Sequence, residues 1–169
     1  MQKRILGLLI VLLAFNITVR GQDIHKFHSI FIYNFSKFIQ WPAAYKKGDF
    51  VIGVLGNSPV TRHLRSMAAS KKVGSQRFSI VSYKNPGDIQ RCHILYIPTE
   101  QSSMLEECKA NLTGTATLII TDKPGLGKDG SGINFLIVDG KPKFELNKSA
   151  AEERNLKVST ELAKLAILI

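Results

Sequence analysis

The chain has 169 residues, with 23 Lys or Arg against 13 Asp or Glu, a formal charge of +10 and 44% hydrophobic side chains. That length fits one domain. The composition excludes a disordered tail, a collagen-like fibre and a disulfide-dense mini-protein.

The chain begins as a secretory signal peptide does. Lys3 and Arg4 precede an 11-residue apolar run, Ile5 to Phe15, whereas a membrane-spanning helix needs about 20 residues. Val19-Arg20-Gly21 offers a cleavage site. Residues 1–21 are therefore expected to be removed, leaving 22–169 as the mature domain. No Cys follows the apolar run, which argues against a lipid anchor. Loss of Lys3, Arg4 and Arg20 leaves a mature charge of 20 − 13 = +7. A basic exported protein meets anionic lipids or an acidic partner, and export argues against nucleic acid. The basic residues look scattered, with Lys46-Lys47 and Lys71-Lys72 as the longest runs, and read as a solvated surface.

Ile24 to Gln40 predicts an amphipathic helix. Ile24, Phe27, Phe31, Phe35 and Phe38 recur at spacings of three and four, so this face should pack on the rest of the fold. Trp41-Pro42 ends it, because the residue before Pro is biased away from helical angles. Phe50 to Gly56 is a continuous apolar run, the pattern of a strand buried on both faces. A helix capped by Asn57 or Ser58 follows, to about Ser70. Arg77 to Tyr83 alternates as a strand, and His93 to Ile97 reads as another buried one. Ser102 to Asn111 predicts a helix and Ala116 to Thr121 a fourth strand. Asp122 to Gly132 is a glycine-rich loop. Asp139-Gly140 between two strand-like runs, Ile133 to Val138 and Lys143 to Asn147, is a hairpin signal. Ser149 to Arg154 and Ser159 to Leu168 predict closing helices. Strands alternating with helices imply a mostly parallel sheet. The expected fold is a three-layer α/β sandwich with an antiparallel hairpin at one edge.

Few motifs carry chemistry. Neither glycine stretch, Gly53 to Ser58 or Gly125 to Gly132, has the spacing of a phosphate-binding loop, and both read as backbone turns. His25 and His28 lie three apart on the first helix, a metal-compatible spacing, but no third ligand is identifiable. They read as solvated histidines, and no metal or cofactor is expected. His93, at the head of a buried strand, reads as a hydrogen-bonded core residue. No catalytic motif is found, so the chain is not expected to be an enzyme.

Cys92 and Cys108 are the only cysteines. Cys92 opens a strand, and Cys108 lies in the last turn of the helix that runs back beside it. Topology therefore lets the sulfurs meet at one end of the sandwich, and an exported protein meets oxidising conditions. A bridge would close a loop of about 16 residues and contribute roughly 3 kcal/mol in the chain-entropy model. The alternative is a pair of buried free thiols.

Several segments read together resemble the YfiR/HmsC-like family of exported bacterial proteins. They are Ile32-Tyr33-Asn34-Phe35-Ser36-Lys37-Phe38-Ile39-Gln40-Trp41-Pro42, Val54-Leu55-Gly56, Cys92-His93-Ile94-Leu95-Tyr96-Ile97, Thr121-Asp122, Gly132-Ile133-Asn134-Phe135, Phe144-Glu145-Leu146-Asn147 and Ser159 to Ala166. The resemblance spans essentially the whole mature chain. It implies a periplasmic, dimeric α/β protein that represses an inner-membrane diguanylate cyclase by binding its periplasmic portion, and so lowers cyclic di-GMP and biofilm formation. It implies no catalytic residues. With two cysteines, this chain cannot operate a two-bridge redox switch. The second functional expectation is a periplasmic small-ligand sensor.

Each expectation has candidate residues. For a partner, Tyr33, Lys37 and Trp41 are four apart and form a stripe beside the phenylalanine face. The alternative for Trp41 is that it closes the core where Pro42 ends the helix. For a small ligand, the carboxyl edge of a parallel sheet is the usual site, which points to Gly56, Asn57, Ser58, Pro98, Thr99 and Asp122.

Overall fold

A computed structural model describes residues 24–169. The expected signal peptide, residues 1–21, lies outside the described residues. The first helix, α1 (Ile24–Phe38), passes into a two-residue strand, β1 (Ile39–Gln40). The main sheet takes β2 (Phe50–Leu55), β3 (Lys72–Val73), β4 (Gln76–Tyr83), β5 (Ile94–Ile97), β6 (Leu118–Thr121), β7 (Ile133–Val138), β8 (Lys141–Leu146) and β10 (Ile167–Leu168). Between them lie α2 (Val60–Ala68), α3 (Leu105–Asn111), α4 (Lys148–Glu152), β9 (Lys157–Val158) and α5 (Thr160–Leu165).

The sheet runs β10-β8-β7-β6-β5-β2-β4-β3. Its pairs are parallel except for the β7–β8 hairpin and the short β3–β4 pair. This is the mixed α/β, mostly parallel architecture that the strand–helix alternation implies. The hairpin turns where Asp139 (φ 49°) and Gly140 (φ 70°) both adopt left-handed angles, as a two-residue turn matched to strand twist demands.

Alternation along the central strands divides the core in two. Ile52, Val54, Ile94, Tyr96, Leu118 and Ile120 face a large core shared with α1, α2, α4 and α5. Leu55, Leu95, Ile97 and Ile119 face a smaller one, closed by Leu105, Cys108 and Leu112 of and after α3. The central strands β5 and β6 are buried on both faces, which is why they read as continuous apolar runs. Gly53 is needed for a close approach, since a Cβ there would sit 2.6 Å from the Tyr83 ring.

The structure corrects three local expectations. The buried face of α1 is His28, Ser29, Ile32, Phe35 and Ser36; of the phenylalanine stripe only Phe35 is fully buried, while Phe31 and Phe38 pack half-buried against the same core. The serines can go inside because each hydroxyl is satisfied within the helix, Ser29 donating to Lys26 O at 2.7 Å and Ser36 to Tyr33 O at 2.6 Å. The chain end is not helical throughout: α5 stops at Leu165, and β10 lies parallel to β8, outside the hairpin. Finally, β1 pairs antiparallel with β9, tying the exit of α1 to the C-terminal segment.

Candidate functional site

Two of the ligand-binding candidates meet at the carboxyl ends of β5 and β6. The parallel register puts Ile97 beside Thr121, so the residues that follow each strand emerge together. Thr99 donates its hydroxyl to Asp122 Oδ1 at 2.8 Å. Tyr96, pointing from β5 into the large core, donates to Asp122 Oδ2 at 2.5 Å. From α1, His28 Nδ1 lies 3.3 Å from the Tyr96 oxygen and 3.9 Å from Asp122 Oδ2. With the tyrosine hydrogen committed to Asp122, its oxygen is left to accept from His28 Nδ1–H, which sets the neutral tautomer. The imidazole stacks on Phe135 at 4.1 Å with the rings 5° from parallel.

A second chain of polar groups runs beside it, along the registers of β6, β7 and β8. Thr121 pairs with Asn134, and Asn134 with Glu145. Thr121 donates to Asn134 Oδ1 at 2.8 Å, and Asn134 Nδ2 donates to Glu145 Oε2 at 2.8 Å. Ser131 donates to Ile133 O at 2.5 Å and lies 2.8 Å from the Thr121 oxygen. The glycine-rich loop closes over this row. Gly127 presses so near that a Cβ would stand 2.7 Å from Glu145 Oε2, and Asn147 Nδ2 holds its carbonyl at 2.9 Å. The backbone reading of that loop stands, with Gly125 and Gly130 at φ 94° and 98°.

His28, Asp122, Gly125, Asn134, Phe135 and Glu145 line a cavity of about 520 Å³. Burial pulls the His28 pKa down to about 4, against the raising effect of Asp122. Burial, reinforced by Asp122, pushes the Tyr96 hydroxyl up. Both groups therefore hold their neutral forms near pH 7.

The remaining candidates fall elsewhere. Pro98 precedes the 3-10 turn that carries Thr99. Asn57 and Ser58 line a separate cavity of about 570 Å³ with Arg62 and Arg65 of α2. Gly56 (φ 70°) packs against the Gln101 side chain. The partner stripe breaks up too. Trp41 is 8% exposed, and its indole donates to His93 O at 3.2 Å and packs edge-on to Phe50. It closes the core, because the chain turns inward at β1 instead of extending the helix. Tyr33 is half-buried against Phe78, with the exposed Lys37 ammonium 4.4 Å above its ring.

His93 is the core histidine that its position implied. Its Nδ1 accepts from Val51 N–H at 3.0 Å, and its Nε2 donates to Tyr45 O at 2.7 Å. The solvated reading of His28 is corrected, since Phe135 and Tyr96 come from strands that no local pattern could place over it. Cys92 and Cys108 enter the same small core but stand as free, buried thiols. The expected bridge is not formed in the structure. The Thr117 hydroxyl donates to the Cys92 carbonyl at 2.7 Å, and burial pushes the two thiols up to about 12 and about 11.

A family model described as YfiR/HmsC-like matches residues 25–167, from the start of α1 into β10. The chain belongs to the YfiR/HmsC-like family. Its members are periplasmic regulators of diguanylate cyclases and act through a membrane partner. The match takes in both polar rows and the Trp41 closure. A search of curated proteins finds none that matches the chain. No helix among the described residues is long and apolar enough to cross a membrane.

Proposed function

We propose that this YfiR/HmsC-like chain is exported to the periplasm and represses an inner-membrane diguanylate cyclase by binding its periplasmic portion. The observation that carries the reading is the family match over residues 25–167, which covers the domain from its first helix to its last strand. Burial holds His28 and Tyr96 of the Tyr96–Asp122 cluster in their neutral forms near pH 7, which supports a non-enzymatic role. The protein acts as a homodimer, without catalytic residues or cofactor. The test is genetic and direct. Deleting the gene in its host raises cyclic di-GMP, and adding the purified domain to the solubilised cyclase lowers its rate. An unchanged cyclic di-GMP level with an unchanged cyclase rate refutes the proposal.

The cavity of about 520 Å³ beside Asp122 favours one second reading, a small-ligand sensor. Native mass spectrometry of protein purified from its host reads this directly, as a released small molecule that Asp122→Ala fails to retain.

A further inference from the structure

The positive charge of this domain is one-sided. Residues 24–87 hold 10 Lys or Arg and a single acid, Asp49, so that half carries 10 − 1 = +9. Residues 88–169 hold 10 Lys or Arg and 11 Asp or Glu, which is 10 − 11 = −1. The strand order turns this division into a spatial one. The first half supplies β2, β4 and β3, the last three strands at one edge, while β5, β6, β7, β8 and β10 complete the sheet on the other side. α1 and α2 pack together over the large core, and α2 covers β4.

The two lysine pairs that lie far apart in sequence converge at this edge. Lys71 and Lys72 lead from α2 into the β3–β4 hairpin. Gln76 of that hairpin donates to Tyr45 O and to Gly48 O, both at 3.0 Å, which ties the segment carrying Lys46 and Lys47 against it. Lys26 and Lys71 line one groove between α1 and α2, with Tyr33 beside them, and Lys37 lies over Tyr33. All six lysines are exposed. Among the described residues none of them takes part in an ion pair.

We propose that this edge docks on the anionic lipid surface of the membrane facing the domain, which rests on the periplasmic placement above. A broad face of six exposed lysines, with Asp49 the one acid of its half, suits a plane of phosphate headgroups. Each basic residue near an anionic bilayer contributes about 1 kcal/mol, or about fivefold in partitioning, and the attraction fades within a Debye length. Such docking presents the domain to a membrane partner in one orientation, with the less basic β5–β10 side turned away from the lipid.

The test is flotation of the mature domain with vesicles of phosphatidylethanolamine and phosphatidylglycerol, against vesicles of phosphatidylcholine alone. Binding to the anionic vesicles only, reversed by high salt, is expected. The fourfold variant Lys46→Gln, Lys47→Gln, Lys71→Gln, Lys72→Gln should partition several hundred-fold more weakly, at about fivefold per lysine. The control Lys141→Gln, Lys143→Gln, on exposed positions of β8, should partition far closer to the parent. No binding to anionic vesicles, or an equal loss in the control, overturns the proposal. Retention on immobilised polyglutamate without vesicle binding also overturns it, assigning the edge to an acidic protein segment. The readout needs no cyclase, so it stands or falls apart from the repressor reading.

Discussion

His28 and His93 stack on a phenylalanine at the same 4.1 Å, at opposite ends of the sheet, and they are held in opposite ways. Both ring nitrogens of His93 are taken by main-chain groups. His28 faces only side chains, Tyr96 and Asp122, and it borders a cavity. Main-chain partners come with the fold and leave nothing free, so the His93 end is a fastener. Side-chain partners can be replaced by a ligand or a proton, which is the basis of the ligand reading proposed for the His28 end.

The largest effect tests the fastener. Trp41 donates to His93 O and packs on Phe50, so Trp41→Ala should cost about 3–5 kcal/mol in a urea titration. A cost below about 1 kcal/mol would break the distinction. Acid tests both ends. Burial lowers the pKa of each histidine, so as pH falls below about 6.5 the unfolded chain binds protons first. Stability is therefore full above that pH and declines below it. The His28 share, roughly 3 kcal/mol, is lost by pH about 4, where its folded form titrates. His28→Asn should flatten the slope of urea midpoint against pH, and an unchanged slope would place the pH response elsewhere. Tyr96→Phe should cost about 2 kcal/mol by calorimetry, since it removes the charge-assisted bond to Asp122. The smallest effect is at the rim of α1. Lys37→Ala should cost about 0.5 kcal/mol, the contribution of an exposed cation–π contact. If it still weakens repression of the solubilised cyclase, Lys37 touches the partner.

Much of the candidate site was legible as a location and little of it as a constellation. Thr99 and Asp122 were readable because parallel strands release their next residues together at one edge. Tyr96 looked like one more apolar position in a buried strand, and only its neighbour across the sheet reveals a hydroxyl at work. Asn134 and Glu145 lie 11 apart in sequence and become partners through the hairpin register. Trp41 was ambiguous for a related reason. Helical spacing put it on a stripe with Tyr33 and Lys37, but the helix ends at Phe38 and β1 turns it inward.

Short-range rules were enough for the order of elements, the hairpin turn, the burial of β5 and β6 and the glycine loop. They act within a few residues, where backbone angles and side-chain period are fixed by neighbours in the chain. Folding in space was needed to choose the face of α1 that goes inside, to stack His28 on Phe135 and to gather two distant lysine pairs at one edge. Those outcomes depend on strand order and register, and contacts between residues tens of positions apart leave no periodic trace in the chain.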